Sequence, residues 1–200
     1  MQHGYRPAIL MALLAGCSAL QHSNFSDVDV VVWGGTPPGI TAALAAANSS
    51  RSSSMNSTVE WKPLQIVLLV AAGTPLGGMT TGGLADVDTG NRALCGGIAR
   101  EFFYRVGEFY TGQRQFMPKG QECKVSLRVF QQMLQEVGTQ VQIRTGVSGL
   151  EVVRRAGGIA SISVLSAGNK RVSFGSARTR YVDASYEGDL LRFSGGSWTL

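Results

Sequence analysis

The glycines of Gly34-Gly35-Thr36-Pro37-Pro38-Gly39 have the spacing that lets backbone close on a phosphate. Gly34 and Gly35 permit a turn too tight for a side chain, and Gly39 lets the following helix pack closely on the strand it has left. Pro37 and Pro38 suit the first positions of that helix, where amides have no intrahelical partner. The remaining free amides and the positive end of the helix dipole then face an anion such as a pyrophosphate. The usual fingerprint is G-x-G-x-x-G, and Thr36 stands at its middle glycine. Taken alone, the segment also suits a buried strand and tight turn with no ligand. A second segment, Gly73 to Leu84, is too rich in glycine to pack by side chains and reads as a loop whose amides approach a flat or anionic ligand. Asp86 and Asp88 follow it and read first as a solvated pair at a turn, with a ligand-facing role as the alternative. Arg100 and Glu101 read as an ordinary exposed pair on a helix. No catalytic base is assigned, and the two histidines, His3 and His22, lie in or beside the N-terminal leader, which argues against a metal site.

Elements must position these residues. Val30 to Val32 form a β-branched run of the kind buried in a parallel strand, and Ile40 to Ala47 continue as a small-residue helix. Residues 48–62 are Ser-rich without an apolar period and read as a surface insertion. Leu64 to Val70 resume the buried-strand pattern, parallel to the first strand. An acidic residue for the ribose hydroxyls is expected where that strand ends, but Val70, Ala71 and Ala72 stand there. Ile98, Phe102 and Val106 make one stripe of a helix whose aromatics read as core, and Leu127 to Val137 form an amphipathic helix stopped by Gly138. Val141–Ile143, Val147–Val153, Ile159–Leu165 and Arg171–Phe174 alternate as strands of a small antiparallel meander, and Tyr181–Ala184 return to the main sheet.

The chain of 200 residues is long enough for one solid core, or for one domain and an incomplete second. Glycine is over-used, at 26 residues against a typical level of about 7%, which favours backbone lying close to a ligand. Net charge is +5, spread over single Arg and Lys residues without a block or aromatic interleaving, which disfavours nucleic acid as a partner. Arg6 and the apolar run Ala8–Ala15 read as a signal peptide spanning 1–19, too short to cross a bilayer. With sequons at Asn24, Asn48 and Asn56 this implies a secreted glycoprotein; a bacterial lipoprotein with lipid on Cys17 is the alternative. No other segment reads as a membrane span. After cleavage Cys95 and Cys123 remain, and an oxidising compartment permits a disulfide between them without fixing one.

Four ordered blocks, Gly34–Ile40, Leu76–Leu84, Gly96–Phe102 and Val182–Leu190, resemble the FAD-dependent oxidoreductase family of the glutathione-reductase-like fold. The similarity runs over 27–191. It implies an α/β fold, a Rossmann-like parallel sheet with flanking helices plus a small antiparallel β-meander, forming an incomplete FAD-binding domain. In that family Thr stands where Thr36 does. The resemblance implies that Gly34, Gly35, Thr36, Pro37, Pro38 and Gly39 hold the FAD pyrophosphate. It further implies that Gly77, Gly78, Met79, Thr80 and Thr81 line the flavin, and that Asp183 to Asp189 lie where the chain crosses back to the cofactor. Two departures are visible: the family has Glu where Ala71 stands, and residues 192–200 diverge where the family continues into a substrate domain, as in a truncated product. The implied activity is oxidation of a small organic molecule by hydride transfer to FAD. A non-catalytic remnant with weak or no nucleotide binding is the alternative, and an NAD-binding domain a weaker third. The substrate and the oligomeric state are not fixed by these residues.

Overall fold

A computed structural model describes residues 23–25, 27–55, 62–84, 86–88 and 90–197. The leader, Cys17 and the Asn56 sequon lie outside them. Seven strands form one sheet: β1 (Ser23–Phe25), β2 (Val30–Trp33), β3 (Ile66–Ala71), β4 (Val141–Arg155), β5 (Gly158–Leu165), β6 (Arg171–Phe174) and β7 (Arg180–Asp183), in the order β1-β6-β5-β4-β3-β2-β7. Its helices are α1 (Pro37–Met55), α2 (Gly78–Gly82), α3 (Gly97–Thr111), α4 (Cys123–Glu136) and α5 (Asp189–Ser194). The sheet is thus the expected α/β arrangement, with β4-β3-β2-β7 parallel and β4-β5-β6 antiparallel.

Alternation in the two central strands sorts their side chains to opposite faces. Val32, Ile66, Leu68 and Val70 face a helical layer, where they pack with Ile40 and Leu44 of α1, Phe102 and Val106 of α3, and Phe130 and Met133 of α4. Two aromatic residues of α3 are core, as their spacing implies: Phe102 and Phe103 are buried, and Phe102 stacks on Phe130, whereas Tyr104 is half-buried and Phe109 and Tyr110 are exposed. Val31, Trp33, Val67 and Leu69 point the other way and meet Ile162, Val164 and Phe174 of the meander. The molecule therefore has three layers of helices, parallel sheet and meander, which explains why β2 and β3 read as unbroken apolar runs.

The Ser-rich stretch differs from expectation, because α1 runs through Ala47 to Met55 instead of ending where the apolar residues end. Serine hydroxyls follow the helix: Ser49 donates to the Ala45 carbonyl and Ser50 to that of Ala47, while Gln140 Nε2 donates to Ser50 Oγ at 2.9 Å. A helix already nucleated extends at little cost. The meander also differs. Val141–Ile143 is not a separate antiparallel strand but the start of β4, which runs parallel to β3 as far as Ala71 and then antiparallel to β5. Register shifts accompany the change, beside Gly146 (φ 69°) and Gly149 (φ 60°), where positive φ is open to glycine. β1 was not expected at all; it adds a short parallel edge to β6, where Phe25 stacks on Phe174 at 5.4 Å.

Candidate functional site

Strand order carries the geometry of the site. β3 lies on one side of β2 and β7 on the other, so the chain reverses its winding direction between β2 and β7, and in open α/β sheets ligands bind beyond the carboxyl ends of strands at such a switch point. Gly34 follows β2 there, and Ala184 follows β7. The two turns are nearly in backbone contact: a Cβ on Gly34 (φ 117°) would sit 2.5 Å from the Ala184 carbonyl. A Cβ on Gly35 would strike Val70, and one on Gly39 would overlap the Gly34 carbonyl oxygen. All three glycines are thus required by packing, whatever is bound.

Thr36 stands at the middle glycine of the fingerprint with a task of its own. Buried to 2% exposure, its hydroxyl donates to the Ala184 carbonyl at 2.6 Å and accepts the Gly39 amide at 3.3 Å. One side chain thereby caps α1 and ties the ends of β2 and β7 together. This changes the expected supply of amides. Pro37 and Pro38 have none, Gly39 donates to Thr36, and Gly34 donates to Leu69 O at 2.9 Å. Among the described residues only Gly35 and Thr36 keep unpaired amides in this turn, so its free donors lie in the bend before the helix and not in its first turn.

The glycine-rich segment comes to the same place. Gly77 donates to the Gly35 carbonyl at 2.6 Å, and a Cβ on Gly78 would lie 3.3 Å from Thr36 Cα. Expected as a loop throughout, it closes into the short helix α2 after Gly77, whose φ of 95° needs glycine. Thr81 Oγ1 donates to Leu76 O at 2.7 Å, while Thr80 is half-buried and Met79 exposed. A third segment meets them: Tyr186 Oη accepts the Met79 amide at 2.9 Å, and Gly78 has no room for a side chain against that hydroxyl. Nothing in sequence spacing marks Tyr186, since its partner lies far away in the chain.

Asp183 to Asp189 form a self-braced turn. Asp183 accepts the Ser185 amide and hydroxyl on one oxygen and the Leu191 amide on the other, and Ser185 Oγ accepts the Asp189 amide. The Asp183 carboxylate is thereby committed to structure. Asp86 accepts the Gly120 amide at 2.7 Å and so holds the turn before α4, while Asp88 is fully exposed, 3.8 Å from Lys119. Arg100 and Glu101 are not paired with each other. Arg100 reaches Tyr104, whereas Glu101 takes Arg105 and Arg114, and Arg105 also grips Glu136 of α4. The Arg114 guanidinium, joined by Arg105, holds the Glu101 carboxyl down at about 2 against burial that opposes it. Cys95 and Cys123 are free thiols. At the second-strand end Ala71 is half-buried, its carbonyl accepting the Thr74 amide, and it brings no acceptor of its own.

Among the described residues no helix is long and apolar enough to cross a membrane, and no group of His, Cys, Asp or Glu is placed to hold a metal ion. Two solved structures share the fold: Thermovibrio ammonificans THI4 (TM-score 0.51, 16% identity, 85% of this chain and 64% of that one) and the flavin-dependent brominase Bmp2 (TM-score 0.51, 14% identity, 88% and 41%). L-proline dehydrogenase from P.horikoshii aligns with TM-score 0.47 at 19% identity, over 82% of this chain and 23% of its own length. The chain thus spans between about a quarter and two thirds of these neighbours. No curated protein sequence matches it. The family description "FAD dependent oxidoreductase" matches residues 29–200, from the start of β2 through the whole of the switch-point site, and the chain therefore belongs to that FAD-using family.

Proposed function

We propose that this chain forms the nucleotide-binding part of a flavoenzyme that oxidises a small organic substrate by hydride transfer to FAD. The observation that carries it is the convergence of the Gly34–Gly39 turn, the Gly77–Thr81 segment and the turn after β7 on one switch point, with the Gly35 and Thr36 amides unpaired. The residues fit the group. A bend without side chains admits a diphosphate to the backbone, and two free amides beside a helix N-terminus supply donors for it. In this reading Gly34, Gly35, Thr36, Pro37, Pro38 and Gly39 form the pyrophosphate cradle, and Gly77, Gly78, Met79, Thr80 and Thr81 lie along the flavin. FAD supplies the hydride acceptor; the chain supplies position and keeps water from the turn. Tyr186 bears on the flavin segment by holding the Met79 amide.

A second reading, a remnant that binds nucleotide weakly or not at all, is favoured by Ala71, which leaves the ribose without its charged acceptor. Passage through the secretory route rests on the leader and the sequons, of which Asn48 lies exposed on α1. Purified protein decides between holoprotein and remnant. Visible absorption of oxidised flavin, released one per chain on denaturation, supports the flavoenzyme. Colourless protein whose melting point does not rise with excess FAD, or rises only with NAD, rejects it.

A further inference from the structure

β4 and β5 meet in a turn at Ala156 and Gly157, and that turn and the loop from β6 to β7 wall a cleft of about 680 Å³, the size of a small-molecule site. β7 enters the cleft at Arg180, which pairs with Val30 at the start of β2, so the cleft lies at the end of the sheet opposite the Gly34 turn. The charge on its walls has one sign: Arg155 and Arg180 line it, and no Asp or Glu does so among the described residues. Elsewhere arginine is engaged. Arg105, Arg114 and Arg171 are held by carboxylates, and Arg100, Arg128 and Arg144 lie over aromatic rings. Arg155 and Arg180 have no ion pair, side-chain hydrogen bond or ring contact among the described residues.

The walls are set without a ligand. Tyr181 Oη donates to the Ala160 carbonyl at 3.0 Å, joining β7 to β5, and a Cβ on Gly175 would lie 2.1 Å from that hydroxyl. Thr179 Oγ1 donates to Val28 O at 2.7 Å and accepts the Ser176 amide at 2.8 Å, which fixes the loop from β6 to β7. The amides of Ala156, Gly157 and Ala177, three residues of the wall, have no partner among the described residues. Guanidinium forks and backbone N–H groups donate and do not accept. An oxyanion satisfies both kinds, since a carboxylate or phosphate takes two parallel, charge-strengthened bonds from an arginine. Two guanidinium groups sharing one cleft also repel each other until an anion compensates them.

We propose that Arg155 and Arg180, with the free amides of this cleft, bind the carboxylate or phosphate group of a small organic anion at a site separate from the nucleotide turn. The proposal does not depend on the flavoenzyme reading. Inorganic phosphate and citrate are each titrated into the full chain by calorimetry, at ionic strength held constant with chloride. Saturable uptake of at least one of them, one per chain, is expected, and Arg155→Gln and Arg180→Gln each weaken it by about tenfold or more. Tighter phosphate marks a phosphate ester as the ligand class, and tighter citrate a polycarboxylate. Ala177→Asp puts a carboxylate on the wall at an exposed position and is expected to abolish uptake with little change in melting point, which keeps the test open if an arginine variant does not fold. No saturable uptake of either anion above chloride overturns the proposal. So does uptake that either arginine variant retains in full, because phosphate held instead by the Gly35 and Thr36 amides would not respond to changes at the opposite end of the sheet.

Discussion

At the scale of single residues, the turn was readable where the constraint is local and hidden where it is not. Glycine at 34, 35 and 39 announces itself because a Cβ has nowhere to go, and that exclusion leaves its mark on the sequence. Thr36 gave no such sign: its partner, the Ala184 carbonyl, is 148 positions away, and nothing in the spacing of either segment reveals the bond. For the same reason the count of free amides came out differently, since the Gly39 amide is taken by a hydroxyl that a glycine fingerprint treats as filler. Thr36→Val keeps the shape and removes the oxygen. It leaves a buried carbonyl and an uncapped helix, and is expected to cost about 1–3 kcal/mol in chemical denaturation, while Thr36→Ser stays close to wild type. Ala71 sets the opposite case, an absence that sequence shows plainly. A carboxylate restored at the end of β3 would accept the ribose hydroxyls, so Ala71→Glu is expected to tighten FAD roughly tenfold or more in an equilibrium titration, from a charge-assisted bond of about 1.5–3 kcal/mol. Its half-buried position predicts little change in apoprotein stability.

At the scale of elements, periodicity located the buried strands and amphipathic helices, because these bury a regular face. It failed where backbone continuity outlasts the pattern. The Ser-rich end of α1 has no apolar period yet stays helical, and β4 passes from one pairing sense to the other without interruption. Ion pairs between α3 and α4 likewise escape one-dimensional reading, since Arg105 joins Glu101 four residues back to Glu136 on another helix. These pairs make a definite prediction about acid. Glu101 titrates at about 2 in the folded chain against 4.5 when unpaired, a lowered value, so its contribution is complete above about 4.5 and is lost as pH falls toward 2. Glu101→Gln should flatten the pH dependence of the unfolding free energy in that window. The difference at neutral pH is expected to stay within about 1 kcal/mol, because the partners are partly solvated and the pairs screened.

At the scale of the whole molecule, the question is whether the meander is an appendage or part of the nucleotide-binding unit. Two observations argue for unity. β4 belongs to both the parallel and the antiparallel part of the sheet, and the odd-numbered side chains of β2 and β3, including Val31 and Val67, pack in one cluster with Ile162, Val164 and Phe174 of the meander and Leu190 of α5, away from α1, α3 and α4. The strand that ends at Gly34 is therefore pressed from both sides, and loosening the meander relaxes the turn that Thr36 ties to Ala184. Ile162→Ala, at a fully buried position remote from that turn, tests the coupling. Cavity formation predicts a loss of about 2–5 kcal/mol, which for a chain of this size lowers the melting point by roughly 5–15 °C. Because the layers share strands, the fall should appear in the far-ultraviolet signal of α1, α3 and α4, none of which carries the substitution, as one transition. A variant whose helices melt at the wild-type temperature while the meander melts earlier would show two independent units. The switch-point site would then owe nothing to the layer beneath it.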